Sequence, residues 1–275
     1  MAERAIIGLT EWLQTPAGRY VLEWEQGHLD TAVVDLFGFH ALQLGLPELD
    51  ALSANRMPHR WVAVDTAAPE LANPIDPVKV PRAAVALHCD FDALPFDSGS
   101  LDLVVLPHAL ELARDPHLAL REVERVLVPE GRVVIVGFNP ASLWGLRQAF
   151  GRLRRGLGLG KKRDLYLPGG GEFMRYRRLR DWLRLLSFEV EAGRFGCYRP
   201  PLRSQAWLSR FEWAEHIGER WWPVFGAVYF VVAVKRVRGM RLVGLVREQR
   251  AIKHTAPAPV VANNHHHSTH DSHEH

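Results

Sequence analysis

Four polar side chains directly follow apolar runs that are typical of buried strands. They are Asp65, Asp90, His108 and Asn139. In open α/β sheets, ligands bind beyond the carboxyl ends of the strands, so we expect Asp90, Pro107 with His108, and Asn139 to share one rim. Carboxylates accept hydrogen bonds from hydroxyl and amino groups, and a histidine titrates near neutral pH, with an ordinary pKa of ~6.5. The pattern therefore predicts a ligand site at one edge of a sheet.

The spacing of Asp65 suggests a more specific role. It ends the run Arg60–Asp65 and lies about 20 residues after Gly45, the separation at which dinucleotide-binding folds place an acid on ribose hydroxyls. A carboxylate suits two vicinal hydroxyls because it accepts two hydrogen bonds at once. A solvated aspartate at the end of a strand is the alternative interpretation.

The elements that must position these residues are strands and a well-delimited helix. Three apolar runs predict strands that are buried on both faces, namely Ala84–His88, Leu101–Leu106 and Arg132–Phe138. Between the last two we predict a helix with Asp115 as its cap, Pro116 at its first position, Leu118 on its inner face and Gly131 as its stop. Two parallel strands joined in this way form a right-handed βαβ unit.

Further helices and strands flank this unit. Thr15 and Pro16 should begin a helix that Gly38 ends. Its inner face is predicted to carry Leu22, Leu29, Val33, Leu36 and Phe37. Helical patterns also occur at Ser142–Phe150 and Leu179–Leu186, and strand patterns at His40–Leu46, Phe188–Phe195 and Phe225–Val234. Trp207, Trp213, Trp221 and Trp222 are most simply interpreted as core or lid packing.

Three segments carry a family resemblance. They are DFDALPF at 90–96, LDLVV at 101–105 and the PEG turn at 129–131 that precedes RVVI. Together they resemble the second half of the class I S-adenosylmethionine-dependent methyltransferase core, and most closely the type 11-like group. The resemblance implies an α/β, Rossmann-like fold with a seven-stranded, mostly parallel sheet, an antiparallel strand seven and helices on both faces. It implies S-adenosylmethionine as the cofactor.

The same resemblance assigns roles to individual residues. Asp90 would hydrogen-bond the adenine amino group. Phe91 would contribute a backbone contact, and its aromatic ring would pack against the flat base. Pro107 stands where such enzymes place groups that face the cofactor and the substrate. His108 beside it is a candidate general base, and a structural histidine is the alternative.

The glycine-rich loop of the family departs from its usual pattern here. Gln43 stands where the family has an acid, Gly45 keeps the first glycine, and Pro47 and Leu49 replace the other two. Glycines let a backbone approach a ligand closely, whereas proline lacks an amide donor. We expect Gln43 and Gly45 to contact the cofactor and binding to be weakened at its methionine end.

Composition limits the remaining function classes. The chain has 275 residues, 47% apolar content, a net charge of +3 and two cysteines without metal or redox spacing. We therefore expect one cytoplasmic domain over 40–236, with a helical cap over 1–39, a basic insert over 141–187 and a basic, then His-rich tail over 237–275. No apolar run is long enough for a membrane span.

The basic segment 147–184 leaves two alternatives to catalysis open. It holds twelve Lys or Arg and three Asp or Glu, a net of nine positive charges. Such asymmetry attracts anionic partners, including RNA or DNA, although regularly spaced stacking aromatics are lacking. The glycines and like charges of 151–171 predict a mobile lid. The candidates are a methyltransferase of unknown acceptor, a degenerate methyltransferase-fold scaffold and, less favoured, a nucleic-acid-binding protein.

Overall fold

The computed structural model describes residues 8–66, 83–157, 166–168 and 173–236. Seven strands within these ranges form one sheet. Their bounds are β1 His40–Leu44, β2 His59–Asp65, β3 Leu87–Cys89, β4 Leu101–Pro107, β5 Leu127–Phe138, β6 Phe188–Gly196 and β7 Val228–Lys235. The spatial order is β3-β2-β1-β4-β5-β7-β6.

The sheet is parallel except for β7. This strand lies between β5 and β6 and runs antiparallel to both, with Val134 opposite Val232 and Gly193 opposite Val231. The predicted seven-stranded class, six parallel strands and one antiparallel, is confirmed. Because six strands point the same way, their carboxyl ends meet at one edge, which we call the rim.

Eight helices are described. They are α1 Leu9–Leu13, α2 Pro16–Val33, α3 Ala109–Leu112, α4 Pro116–Val126, α5 Leu143–Gly156, α6 Tyr176–Leu185, α7 Gln205–Arg210 and α8 Trp213–Trp221, and a 3-10 helix spans Pro223–Phe225. The predicted caps of α2 and α4 are present: the Thr15 hydroxyl accepts from Gly18 N, and the Asp115 carboxylate accepts from His117 N and Leu118 N.

Two hydrophobic layers cover the two faces of the sheet. Successive residues of β5 alternate between them, with Val134 and Val136 in the layer that includes α1 and α2. Val133 and Ile135 belong to the opposite layer, which α3, α4 and α6 complete. Both faces are buried, which explains why the central strands are continuous apolar runs.

Two predicted helix ends are wrong. Helix α2 ends at Val33 rather than at Gly38, and α4 ends at Val126, so that Gly131 lies inside β5. Glu130 takes the left-handed backbone conformation instead, with φ +64°. At Gly131 a Cβ atom would lie 2.9 Å from the Val128 carbonyl oxygen, so the glycine is required by a tight turn and not by a helix end.

Two predicted inner-face residues face solvent. Phe37 lies beyond the true end of α2 and Leu118 lies in the first turn of α4, and both side chains are exposed. The strand predicted at Ala84–His88 is shorter in the structure and spans Leu87–Cys89. Helix α5 continues through Gly156, so the first residues of the predicted lid are helical.

Several predictions fall outside the described residues: most of the irregular crossover at 66–81, the lid residues 158–165 and 169–171, and the tail at 237–275. Within the described ranges, no helix has both the length and the apolar character needed to cross a membrane.

Candidate functional site

Two of the polar residues predicted from the sequence, Asp65 and Asp90, lie on neighbouring strands at the rim, whereas the Asn139 side chain donates to Val224 O and Gly226 O. Asp65 ends β2 and pairs in register with Cys89, so Asp90 follows immediately on the neighbouring strand. The Thr66 hydroxyl donates a hydrogen bond to the Asp90 carboxylate. Asp65 is buried and Asp90 is exposed to solvent. Together they form a short acidic stretch of the rim, called the acidic edge below.

Gly45 begins the loop after β1 in a conformation that favours glycine. Its φ is +79°, and a Cβ atom there would lie 3.4 Å from Leu112 Cδ1 and 3.5 Å from Ala109 Cα. The loop backbone therefore passes close to helix α3. Pro107 ends the adjacent strand β4 and is buried, and Phe91 is buried beneath the acidic edge.

The side-chain amide of Gln43 binds the loop that follows it. Its Nε2 donates to the carbonyl oxygens of Leu49 at 2.7 Å, Leu46 at 3.0 Å and Gly45 at 3.3 Å, and its Oε1 accepts from Ala51 N at 2.9 Å. A buried amide with these bonds holds the loop in one shape. Its predicted contact with the cofactor stays a prediction.

His108 lies at the end of β4 and is fully buried between two carboxylates. Its Nε2 is 2.8 Å from Glu25 Oε1 of α2, and its Nδ1 is 2.7 Å from Glu111 Oε2 of α3. The other oxygen of Glu111 accepts from Phe138 N at 2.6 Å. This group of Glu25, His108 and Glu111, called the ionic cluster below, ties α2 and α3 to the ends of β4 and β5.

The cluster keeps the imidazole charged. Burial opposes the charged form of His108, but the two carboxylates outweigh it and raise its pKa to about 10. Burial also raises the pKa of Glu111, against the attraction of the imidazolium. An imidazolium that donates from both nitrogens has no lone pair to accept a proton. The geometry favours a structural role for His108, and its predicted role as a base stays a prediction.

An apolar cavity of about 650 Å³ opens at the same rim beyond β5 and β6. Three segments form its walls: 140–149 from α5 and the loop before it, 197–200 after β6, and 211–225 around α8. Its volume falls within the ~300–1,000 Å³ of small-molecule pockets.

The two hydroxyl groups in the cavity wall have partners within the protein. The Ser142 hydroxyl donates to Asn139 O at 2.7 Å and accepts from Gly145 N at 3.1 Å. The Tyr198 hydroxyl donates to Pro223 O at 2.7 Å. The Cys197 thiol is buried, and burial raises its pKa well above the ordinary value. The wall therefore suits an apolar ligand portion.

Sequence reasoning missed part of this arrangement. Glu25 falls in the helical series Val21, Glu25, Leu29, on the face that α2 buries, and an acid in such a stripe was the available signal. The four tryptophans predicted as core or lid are each more than half exposed, so core packing is wrong for them. Three line the wall or lie next to it: Trp213 and Trp222 belong to it, and Trp221 precedes Trp222.

Comparison with known proteins identifies the family. The sequence profile of a methyltransferase domain matches residues 46–135 and so begins directly after Gly45. A curated relative, the uncharacterized protein YafS of Escherichia coli (strain K12), is 30% identical over 229 residues, which cover 82% of this chain and 80% of the relative. The chain belongs to the class I S-adenosylmethionine-dependent methyltransferase family. S-adenosylmethionine is accordingly the cofactor.

Two other relatives match over a short stretch of this chain. Malonyl-[acyl-carrier protein] O-methyltransferase of Halorhodospira halophila is 43% identical over 70 residues, or 26% of this chain and 23% of the relative. Demethylmenaquinone methyltransferase of Chlamydia pneumoniae is 37% identical over 54 residues, or 20% of this chain and 24% of the relative. Both matches span about a quarter of the relative, which is too little to indicate the acceptor of this chain.

Proposed function

We propose that this protein is an active methyltransferase whose acceptor places an apolar portion in the cavity beyond β5 and β6. The observation that carries the proposal is the division of the rim. Acidic residues and a glycine loop follow β1 to β3, and an apolar cavity follows β5 and β6 at the same edge. In-line transfer requires a donor and an acceptor held in one orientation, and the two parts of the rim would supply a site for each.

The residues after β1 to β3 fit the adenosine end of S-adenosylmethionine. Asp65 would hold the ribose hydroxyls, Asp90 the adenine amino group, and Phe91 would support the base from below. Gly45 has a φ of +79°, which residues with a side chain rarely adopt, and the absence of a side chain there would let the loop backbone lie close to the cofactor. Pro107 would border the cofactor at the end of β4.

When bound, S-adenosylmethionine supplies an electrophilic methyl group. The protein's contribution would be to align the acceptor and exclude water, because an in-line displacement gains chiefly from orientation and desolvation. The apolar wall serves both purposes. His108 would act by holding α2 and α3 in place, and it enters catalysis as a base only if the ionic cluster opens.

One observation favours the alternative of a degenerate, non-catalytic scaffold. Gln43 directs its amide into the loop rather than out of it, and it brings no negative charge to meet the ammonium group of the cofactor's methionine end. A nucleic-acid-binding role finds less support, because the rim on the β5 and β6 side is apolar.

Calorimetric titration with S-adenosylmethionine tests the cofactor site. We expect binding by the wild type, and binding that is ~5-fold weaker in Asp90→Asn, because the amide oxygen can still accept the bond but a neutral bond contributes ~1 kcal/mol less than one to a charged group. Asp97→Asn is the matched control: it is an exposed aspartate in a turn at the opposite edge of the sheet, just before β4. Equal affinities for all three proteins would overturn the assigned adenine contact.

Transfer of a radiolabelled methyl group into the organic extract of a lysate tests catalysis. We expect incorporation by the wild type and a loss of at least ~10-fold in Ala214→Phe, which fills the cavity. Ala206→Phe, the same change on exposed helix α7, should retain activity. Cofactor binding without incorporation into any lysate fraction would favour the scaffold.

A further inference from the structure

Helix α5 carries an apolar stripe on the side that faces away from the protein. Its members recur at helical spacing and are each 56–66% exposed: Leu143, Leu146, Phe150 and Leu153 within the helix, and Leu157 directly after its end. Trp144 and Gln148 lie on the opposite, buried side of the helix. An amphipathic helix normally turns its leucines inward, so α5 has a second apolar face that the described residues leave uncovered.

This stripe is continuous with the mouth of the cavity. Six residues both line the cavity and are at least 40% exposed: Leu143, Leu146, Trp213, Ile217, Trp222 and Phe225. Leu143 and Leu146 belong to both sets, so the stripe and the mouth form one exposed apolar surface, called the α5 surface below. Contiguous exposed apolar surface of this kind marks an interaction site.

Charge indicates what covers the α5 surface. Helix α5 contains Arg147, Arg152 and Arg154 and has no Asp or Glu between Leu143 and Gly156. The segment 147–184 has a net of nine positive charges. Two copies of the chain meeting through α5 would bring like charges together. A nucleic acid would meet the charge but leave the leucines and tryptophans without an apolar partner.

We infer that the α5 surface docks on the interface of an anionic lipid bilayer. Leucines and Phe150 would enter the boundary between headgroups and acyl chains, and the exposed Arg154 would meet lipid phosphates. Arg147 already donates to the Pro201 carbonyl and Arg152 lies over the Phe173 ring, so these two would add only their charge. Trp213, Trp221 and Trp222 are half-exposed beside the cavity mouth, and tryptophan is enriched at membrane interfaces because its ring is apolar and its N–H is polar. Docking would turn the mouth toward the acyl layer, from which an apolar ligand could enter without crossing water.

Vesicle binding in the absence of cofactor tests this inference independently of methyl transfer. We expect the purified full chain to co-sediment with vesicles of 30% phosphatidylglycerol in phosphatidylcholine, and far less with pure phosphatidylcholine. Raising NaCl from about 50 to about 500 mM should weaken binding several-fold, because salt screens the arginines. Lipids brominated on the acyl chains should quench tryptophan emission.

A charge-matched pair of variants locates the surface. Leu146→Asp with Phe150→Asp should lower binding to anionic vesicles at least ~10-fold. Phe37→Asp with Leu185→Asp introduces the same charge at two apolar residues that are each 77% exposed and that precede β1 and β6, at the edge opposite the rim. This control should bind like the wild type.

Three results would overturn the inference: no binding to anionic vesicles, equal loss in both variant pairs, or loss of a dimer in the α5 variant with vesicle binding unchanged. Circular dichroism of each variant establishes that it is folded, since all four substituted side chains are exposed. Failure of vesicle binding would leave the proposed methyltransferase activity standing.

Discussion

The two halves of the rim differ in how their chemistry is built. On the side of β1 to β3, single polar residues follow successive strands, and the parallel sheet alone brings Asp65 and Asp90 together. On the side of β5 and β6, the cavity arises where segments more than 50 residues apart in the sequence, α5 and α8, enclose a space. The comparison suggests that the first half recognises a constant ligand and that the second half determines which acceptor is used.

The ionic cluster lies at the boundary between the halves, at the end of β4. Its loss should have the largest effect on the free energy of unfolding. His108→Ala leaves Glu25 and Glu111 buried without the charge between them. We expect the free energy of unfolding to fall by ~3–5 kcal/mol, the cost of breaking a buried ion pair. Urea denaturation measures this loss, with His216→Ala, at an exposed position of α8, as the control. A change below 1 kcal/mol would contradict the structural role.

The pH dependence of stability should show the same cluster. The folded-state pKa of His108 is about 10, above the unfolded value of ~6.5, so its contribution is complete below ~6.5 and is lost as pH rises toward about 10. Between these values the wild type should lose up to ~1.4 kcal/mol per pH unit relative to His108→Gln. Parallel stability curves for the two proteins would show that the imidazole is neutral in the fold.

Gln43 allows the cofactor half to be tested by itself. Gln43→Glu restores the acid that the family usually has at this position, but a carboxylate cannot donate to the carbonyls of Gly45, Leu46 and Leu49. We expect a loss of ~2–4 kcal/mol in unfolding free energy from unsatisfied buried groups. Asn55 is another buried amide that donates to backbone carbonyls, and it lies outside the rim. The loss of unfolding free energy in Asn55→Asp is therefore the reference for the loss in Gln43→Glu. Unchanged stability with tighter cofactor binding would mean that the loop rearranges.

Each half of the rim contains one cysteine, and the smallest expected effect is a change in the rate at which these cysteines are alkylated. Burial, then the charges of Asp65 and Asp90, raises the pKa of Cys89 to about 11. Asp90→Asn removes the smallest of these causes, so alkylation of Cys89 by iodoacetamide at pH 8.5 should rise only ~2–3-fold. Cys197 in the cavity wall should not change, which peptide mass spectrometry can verify. Equal acceleration at both cysteines would indicate general loosening of the fold.

The strands and helix starts could be predicted from the sequence because their signals are local. Apolar runs located β4 and β5, and Thr15 and Asp115 marked the helix starts, since each needs only neighbouring residues. Helix ends failed where a glycine had another use, as at Gly131 in the turn within β5. A glycine by itself does not show which tight geometry requires it.

The site could be predicted only where the position of a residue follows from the end of a parallel strand. Parallel strands necessarily place Asp65 and Asp90 at one edge, so their proximity followed from the strand pattern. The ionic cluster unites a residue of α2 with two near the end of β4, more than 80 positions away in the sequence. The α5 surface was hidden because its leucines have ordinary helical spacing, and only packing shows that Trp144 faces inward while Leu146 faces outward.

The position of β7 has a consequence for the growing polypeptide. This strand is the last of the described chain, yet it pairs with β5 and β6 and separates them. During synthesis, β1 to β5 emerge first and can assemble, while β5 presents an unpaired, valine-rich edge and β6 has no place to join. We expect chaperones to bind nascent chains that end before Val228. The cavity wall after β6 should form only once Val228–Lys235 has left the ribosome.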